Sequence, residues 1–413
     1  VIKATRLVML GAPDNRFDSW GIRIKEMLVG WLGQKKVLRD KVAGTMHVLI
    51  FWGFLMLGSD MLDLASANYF SDKILPEFLN NPWNGIVELG YTTALLGALA
   101  ALTRRVLFTP EKLKGKSQLE GNFILVLILT ITSTSFIIES SENPSSLWEP
   151  LGYWVSGLGL SQDFIVASYW AHMISICCFL VLIPVSKHMH LVMAIPNVFF
   201  HDTQALGKMR PFAIGDDGKA VPLEDLDIDS FGVSTFDQYT WRQIIDGWSC
   251  TSCARCQDVC PAYESGKGLN PMQVIHDVRN YANEYAPILL KGENPEETML
   301  ARITSEAVWA CTTCNACVDI CPLYIEHVPK LTELRRNAMM ETMDYPEELN
   351  VAMGNLESAS NPYGFGPHER ADWASDLDVK VGQPAEYIYF VGCAASFDER
   401  NQKVARATFS LMK

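Results

Sequence analysis

Eight of the eleven cysteines fall into two runs of identical spacing. The first is Cys250-x2-Cys253-x2-Cys256-x3-Cys260 followed by Pro261; the second is Cys311-x2-Cys314-x2-Cys317-x3-Cys321 followed by Pro322. Soft thiolates at this spacing hold [4Fe-4S] clusters, and in two-cluster ferredoxins the fourth cysteine, before proline, serves the other cluster. The spacing therefore predicts Cys250, Cys253, Cys256 and Cys321 around one cluster. Cys311, Cys314, Cys317 and Cys260 are expected around the second. Four-cysteine zinc is the alternative, disfavoured by the doubled run with its prolines. Disulfides do not suit a domain expected to face the cytoplasm. Cys177 and Cys178 read as packing residues, since no metal spacing surrounds them.

Three histidines offer a further redox chemistry. His47 lies in an apolar run, and His172 and His190 are 18 residues apart in another. At about 100° per residue, 18 residues are five turns, which predicts one shared face and a separation of about 27 Å. Two imidazoles from facing helices can ligate a b-type haem iron, and His47 and His190, both expected at the cytoplasmic end, form such a pair. His172 lies nearer the outer side, a candidate for a second haem, a quinone site or packing, and the polar band Thr130–Ser135 is a further candidate for the quinone site. Met56, nine residues on from His47, is a thioether that could partner His172, or the partner lies elsewhere. His188 is expected on a different face and is read as an interfacial residue.

These groups need elements to hold them. Val42–Ser59, Asn84–Thr103, Gly121–Ile138 and Phe164–Ser186 are apolar runs near the length that crosses a bilayer as helix. A signal peptide could account for one of the four. Residues 1–41 hold nine Lys/Arg, and Arg104, Arg105, Lys112, Lys114 and Lys116 follow the second run. The two intervening loops contain Lys73 alone. This alternation places the N-terminal segment, the 104–120 loop and everything after the fourth run in the cytoplasm, with Trp83 and Trp148 as interfacial anchors. Residues 1–201 carry 16 Lys/Arg against 15 Asp/Glu, whereas residues 202–413 carry 18 against 32. A half that acidic excludes nucleic acid as a partner, because such binding rests on neutralising phosphates.

Beyond the second cysteine run, Lys330–Thr342 reads as helix and residues 343–384 as an extended connection. Tyr387–Val391 reads as a buried strand, followed by a Gly392-Cys393 turn and a helix from Asn401. Beginning at Val1 and ending inside a helical pattern, the sequence is expected to belong to a longer chain.

With these motifs, the sequence resembles the membrane-bound iron–sulfur oxidoreductases related to heterodisulfide reductase. Within them it resembles the bacterial electron-transfer-flavoprotein:quinone oxidoreductase type. The resemblance rests on Asp14-Asn15-Arg16-Phe17, Arg242–Tyr263, Trp309–Pro322 with Ile325-Glu326-His327, Arg370-Ala371-Asp372-Trp373 and Gly392-Cys393. The membrane half is also similar to the cytochrome b subunit of respiratory nitrate reductase, through Pro184-Val185-Ser186-Lys187-x-x-His190 and the 18-residue histidine pair. That family has two histidines on the partner helix; here His47 matches one and Leu57 stands at the other. The resemblance implies a mainly α protein: a cytoplasmic segment 1–41, a four-helix cytochrome b-like membrane domain 42–201 and an α-helical two-cluster ferredoxin domain 202–342. A connector 343–384 and the start of an α/β cysteine-rich domain, 385–413, would follow. It also implies an inner-membrane enzyme taking electrons from reduced electron-transfer flavoprotein to a quinone. Cys393 would be the first ligand of a further iron–sulfur centre completed beyond Lys413. Two other readings share the motifs: a dithiol/disulfide oxidoreductase of the heterodisulfide type, and a non-catalytic membrane anchor and electron conduit in a larger complex.

Overall fold

The computed structural model describes residues 2–70, 80–108, 116–141, 144–212, 220–226, 230–379, 382–384 and 386–412. Four long helices, Lys41–Phe70, Asn80–Leu107, Lys116–Glu139 and Gln162–Leu182, each hold a stretch long and apolar enough to cross a membrane. A helix satisfies every backbone group within its own segment, as lipid requires. Each packs on its neighbour in chain order. The first pair meets along small residues: a side-chain carbon at Gly53 would fall 2.6 Å from the Gly90 carbonyl, and one at Gly97 2.9 Å from the Met46 carbonyl. Close backbone approach replaces the hydrophobic drive that lipid removes. Lys73, Lys112 and Lys114, used above for orientation, lie outside the described residues.

The fourth long helix does not run unbroken to His190. Ser161 caps its start by accepting from the Phe164 N–H, but its regular turns end at Leu182. A 3-10 turn over Ile183–Val185 contains Pro184, and Ser186 is extended at φ −121°, ψ 179°. A second 3-10 turn leads into the His190–Phe199 helix. Proline supplies no N–H and crowds the preceding turn. The five-turn count from His172 to His190 therefore does not hold, and a shared face cannot be derived from it.

The chain divides into two compact units, residues 1–337 and 338–413. The first contains the membrane helices and both cysteine runs. Its cysteine-bearing part is built of short helices with explicit starts. Thr240 and Gln243 form a capping box for Trp241–Ser249. Asn270 accepts from Met272 N and Gln273 N ahead of Pro271–Glu284, with proline at the first position where its missing N–H costs nothing. In the second unit, residues 343–384 are not simply extended, because Glu348–Ala359 is helical and Pro367–Ala374 is a 3-10 segment. Tyr387–Val391 is not a strand. Among the described residues there is no strand to pair with it, and an extended segment without a ladder leaves its backbone groups to water. Tyr389 and Val391 pack towards Trp373 and Ala405 while Tyr387, Ile388 and Phe390 are exposed. The segment lacks the hydrogen bonding of a strand.

A buried charge network joins the parts of the first unit. Asp246 lies wholly inside and accepts from Arg242 Nη1 at 2.7 Å and from Lys330 Nζ. Glu326, just beyond the second cysteine run, receives both Arg16 guanidinium nitrogens at 3.2 and 2.9 Å and the Asp202 N–H at 2.8 Å. Arg242 also donates to the carbonyls of Asn197, Phe200 and Tyr324. Burial alone would raise the Asp246 carboxyl, but Arg242 and Lys330 hold it below the usual carboxylate range. Its contribution to stability is therefore full above the ordinary value of about 4 and is lost as pH falls through the lowered one. Lys330→Met removes one of its two cations, and we expect a loss of about 3–5 kcal/mol in denaturant unfolding followed by near-ultraviolet circular dichroism. Asp246→Asn should flatten the acid limb of the stability profile; an unchanged limb would show that this carboxylate does not set it.

Candidate metal centres

The two cysteine runs fold into the same backbone shape twice. Cys250 and Cys311 each end a helix with nearly equal torsions, φ −64°, ψ 125° and φ −70°, ψ 124°. Two residues on, Ser252 and Thr313 are left-handed at φ 57° and 54°; four residues on, Ala254 and Asn315 are left-handed at φ 60°. None of the four is glycine, so each conformation costs about 1–2 kcal/mol. The Arg255–Asp258 and Ala316–Ile320 helices follow, and each run closes on an extended cysteine before proline, Cys260 at φ −82° and Cys321 at φ −66°. Such turns aim successive N–H groups into a concavity that suits anions, iron–sulfur clusters among them. Thr313 N donates to Cys311 Sγ at 3.4 Å.

The thiols gather around two small hollows that are partly open to solvent. Cys250, Cys253, Cys256 and Cys321 line one, with Arg255 and His327 at its wall. Cys260, Cys311, Cys314 and Cys317 line the other, among Leu269, Val328 and Leu331. Each set thus draws three cysteines from one run and the fourth from the other. Burial pushes the Cys250 thiol up to about 11 and Cys321 up to about 12. For Cys256, burial is followed by the charges of its neighbouring thiols, which push in the same direction. Thiols so placed ionise only against strong positive charge, which iron supplies. The donor set fits a cluster with its own sulfide framework.

The wall groups were not legible in the spacing. His276 Nε2 lies 3.6 Å from Cys250 Sγ and 3.1 Å from Ser252 Oγ. It stands on the intervening Pro271–Glu284 helix, beyond any motif. The Arg242–Asp246 pair could have been found, because opposite charges four residues apart sit among Ile244, Ile245 and Trp248 on a helix that is buried throughout.

The histidines are placed as follows. His190 opens its helix, and its Nδ1 lies 2.9 Å from the Lys187 carbonyl oxygen, to which it can only donate. That contact leaves Nε2 as the free lone pair, the arrangement in which an imidazole ligates a metal. His47, on the first long helix, stacks with Phe51 at 6.3 Å and is close enough to His188 and His190 for their charges to interact. His188 is a neighbour of His190, with ring centroids 5.5 Å apart. Its Nδ1 is buried with no hydrogen-bond partner among the described residues. His172 is away from this group; its Nδ1 lies 2.9 Å from Thr134 Oγ1 and 3.1 Å from the Ile131 carbonyl oxygen. Cys177 and Cys178 are exposed on the fourth long helix. In the second unit, Cys393 starts a short helix and accepts from Arg370 Nη2 at 3.4 Å.

Residues 242–322, which contain all eight run cysteines, match the 4Fe-4S dicluster domain family. The chain carries that domain. It is 29% identical to "EtfAB:quinone oxidoreductase" of Syntrophomonas wolfei subsp. wolfei, over 96% of this chain and 61% of that protein. It is 28% identical to the "Probable iron-sulfur-binding oxidoreductase FadF" of Bacillus subtilis (strain 168), over 97% of this chain and 63% of the relative. A dihydromethanophenazine:CoB–CoM heterodisulfide reductase component of Methanosarcina mazei is 30% identical over 38% of this chain and 39% of its own. The chain spans about three fifths of the first two relatives, and no solved structure matches it. It is related to the heterodisulfide-reductase-type iron–sulfur proteins. With both dicluster sites filled, this chain should bind about eight iron atoms and as many acid-labile sulfides. Cys256→Ser should alter the spectroscopic signal of one cluster and leave the other's unchanged. Zinc in place of iron in the purified protein would refute the assignment.

Proposed function

We propose that this chain is the membrane-anchored, electron-carrying part of an iron–sulfur oxidoreductase that accepts electrons from a reduced electron-transfer flavoprotein and delivers them to membrane quinone. In this reading Cys250, Cys253, Cys256 and Cys321 hold one [4Fe-4S] cluster, and Cys260, Cys311, Cys314 and Cys317 hold the other. His47 and His190 hold a b-type haem. When bound, these groups supply one-electron carriers between a soluble donor and the bilayer. His172, with its ring fixed by Thr134 and Ile131, serves an outer haem or the quinone. Cys393 begins the ligand set of a further centre. The positive loops set the cysteine-bearing part on the cytoplasmic side of the inner membrane.

The observation that carries this reading is the direct bonding of the dicluster segment to the continuation of the fourth long helix. Ser249, beside Cys250, donates to the Met193 carbonyl at 3.2 Å, and Asn197 donates to the Leu323 carbonyl at 2.7 Å. Both partners stand on the helix that His190 opens. A mere anchor needs only a tether; here the thiol set of Cys250 and Cys321 is fixed against the helix that presents the imidazole. The acidic surface of the second half suits steering of a basic patch on the donor.

His190→Ala should abolish the b-type haem absorption band, and an unchanged reducible spectrum would refute the pairing. Membranes containing the full-length protein, supplied with reduced electron-transfer flavoprotein and a quinone, should show flavoprotein-dependent haem reduction followed by quinone reduction. Equal haem reduction by a dithiol, with no response to a flavoprotein, would favour the heterodisulfide-type reading instead.

A further inference from the structure

The two hollows share their donors but not their surroundings. We infer that the hollow of Cys250, Cys253, Cys256 and Cys321 is the membrane-side station of the pair, with Ser249 and Arg255 as the positioning residues that fix it against the His47–His190 end of the helices. The inference rests on the oxidoreductase reading above and adds an order to it.

Three contacts converge on that set. Ser249, adjacent to Cys250, is bonded to Met193, three residues beyond His190 on the same helix. Arg255, adjacent to Cys256 and part of the hollow's wall, donates to the Lys36 and Val37 carbonyls at 3.0 Å each. Those carbonyls belong to the loop that enters the first long helix. The Val37 carbonyl is pressed against Gly44, one turn before His47, so closely that a side-chain carbon there would clash. On the Cys321 side, Leu323 is held by Asn197 and Tyr324 by Arg242.

The other set is tied inward. Arg335 holds the carbonyls of Val308 and Cys311, and the hollow's apolar wall comes from the domain's own Leu269, Val328 and Leu331. Arg39 pairs with Asp319, between Cys317 and Cys321, and so does not separate the sets. In the Cys311 set Cys260 and Cys317 are buried but Cys314 is exposed, whereas in the Cys250 set three thiols are buried and Cys253 is half-buried, with none exposed. An open edge suits entry of electrons from a soluble donor; a buried edge against the membrane helices suits exit.

The test uses the full-length protein in detergent, with haem content read from its absorption band. Cys317→Ser and Cys256→Ser each leave one complete four-thiol set. The electron paramagnetic resonance signal of the remaining cluster is followed by power saturation with ferric haem, then in a His190→Ala background. The signal retained in Cys317→Ser should relax severalfold faster with haem than without, and that in Cys256→Ser should change little. The reverse pattern, or equal enhancement in both, overturns the order. If a cysteine change empties both sets, Arg335→Gln in an otherwise intact chain shifts the signal of the Cys311 set, which must then be the slower-relaxing one; faster relaxation overturns the order. Absence of haem would fall on the haem assignment alone. A nitroxide on Val192→Cys, exposed on the same helix, then reads the order by itself, and should broaden the Cys250-set signal more. For the positioning role, Ser249→Ala should delay haem reduction severalfold while cluster reduction keeps its rate, and Ser249→Thr should restore it. Haem reduction unaltered in Ser249→Ala removes Ser249 from the path.

Discussion

A carboxylate with no water around it must be matched by cations, and Asp246 imposes that condition on the first unit. Its two partners come from its own helix and from Lys330, beyond the second cysteine run. Moving an ion of this kind out of water costs several kcal/mol, so the Trp241–Ser249 helix and the His327–Met340 helix cannot separate without leaving charge stranded. The cysteine runs lie between these two helices in sequence. Pinning the helices together therefore brings Cys321 back to Cys250, and the crossed grouping of the thiols follows from the charge pairing. Arg16 and Glu326 extend the same condition to the N-terminal segment, and Arg242 extends it to the carbonyls at the end of the His190 helix.

The near-twofold repetition of the cysteine turns has an energetic logic. Four non-glycine residues hold left-handed torsions that an isolated peptide would avoid. The packing of helices around each turn over-determines the backbone, and the strain aims three thiols at one centre. Outside this shared frame the surroundings diverge, with His276 and Arg255 beside one set and Arg335 beside the other. Hydrogen bonds and charges near the sulfurs are levers on cluster potential, so identical ligand sets need not have identical potentials.

The parts legible in the sequence were those governed by local rules. The run Cys250 to Cys260 and its repeat needed only spacing, and the four long helices only length and composition. What was hidden depended on partners distant in the chain. Nothing in Asp14–Phe17 announces that Arg16 will sit against Glu326, and nothing in Lys330–Thr342 announces that Lys330 will sit against Asp246. The angular count from His172 to His190 failed because it treated as continuous a helix that Pro184 and Ser186 interrupt. Tyr387–Val391 read as a buried strand from its unbroken apolar run, but composition cannot supply a neighbour to pair with.

The Arg16–Glu326 contact bridges 310 positions of chain. At ribosomal rates of about 5–20 residues per second, some 15–60 s pass between synthesis of the two residues. During that interval all four apolar helices are made while Arg16 still lacks its Glu326 partner. A segment made before the helices is thus among the last to be locked. The segment around Arg16 can therefore close over the cysteine-bearing part only after all four helices have been made.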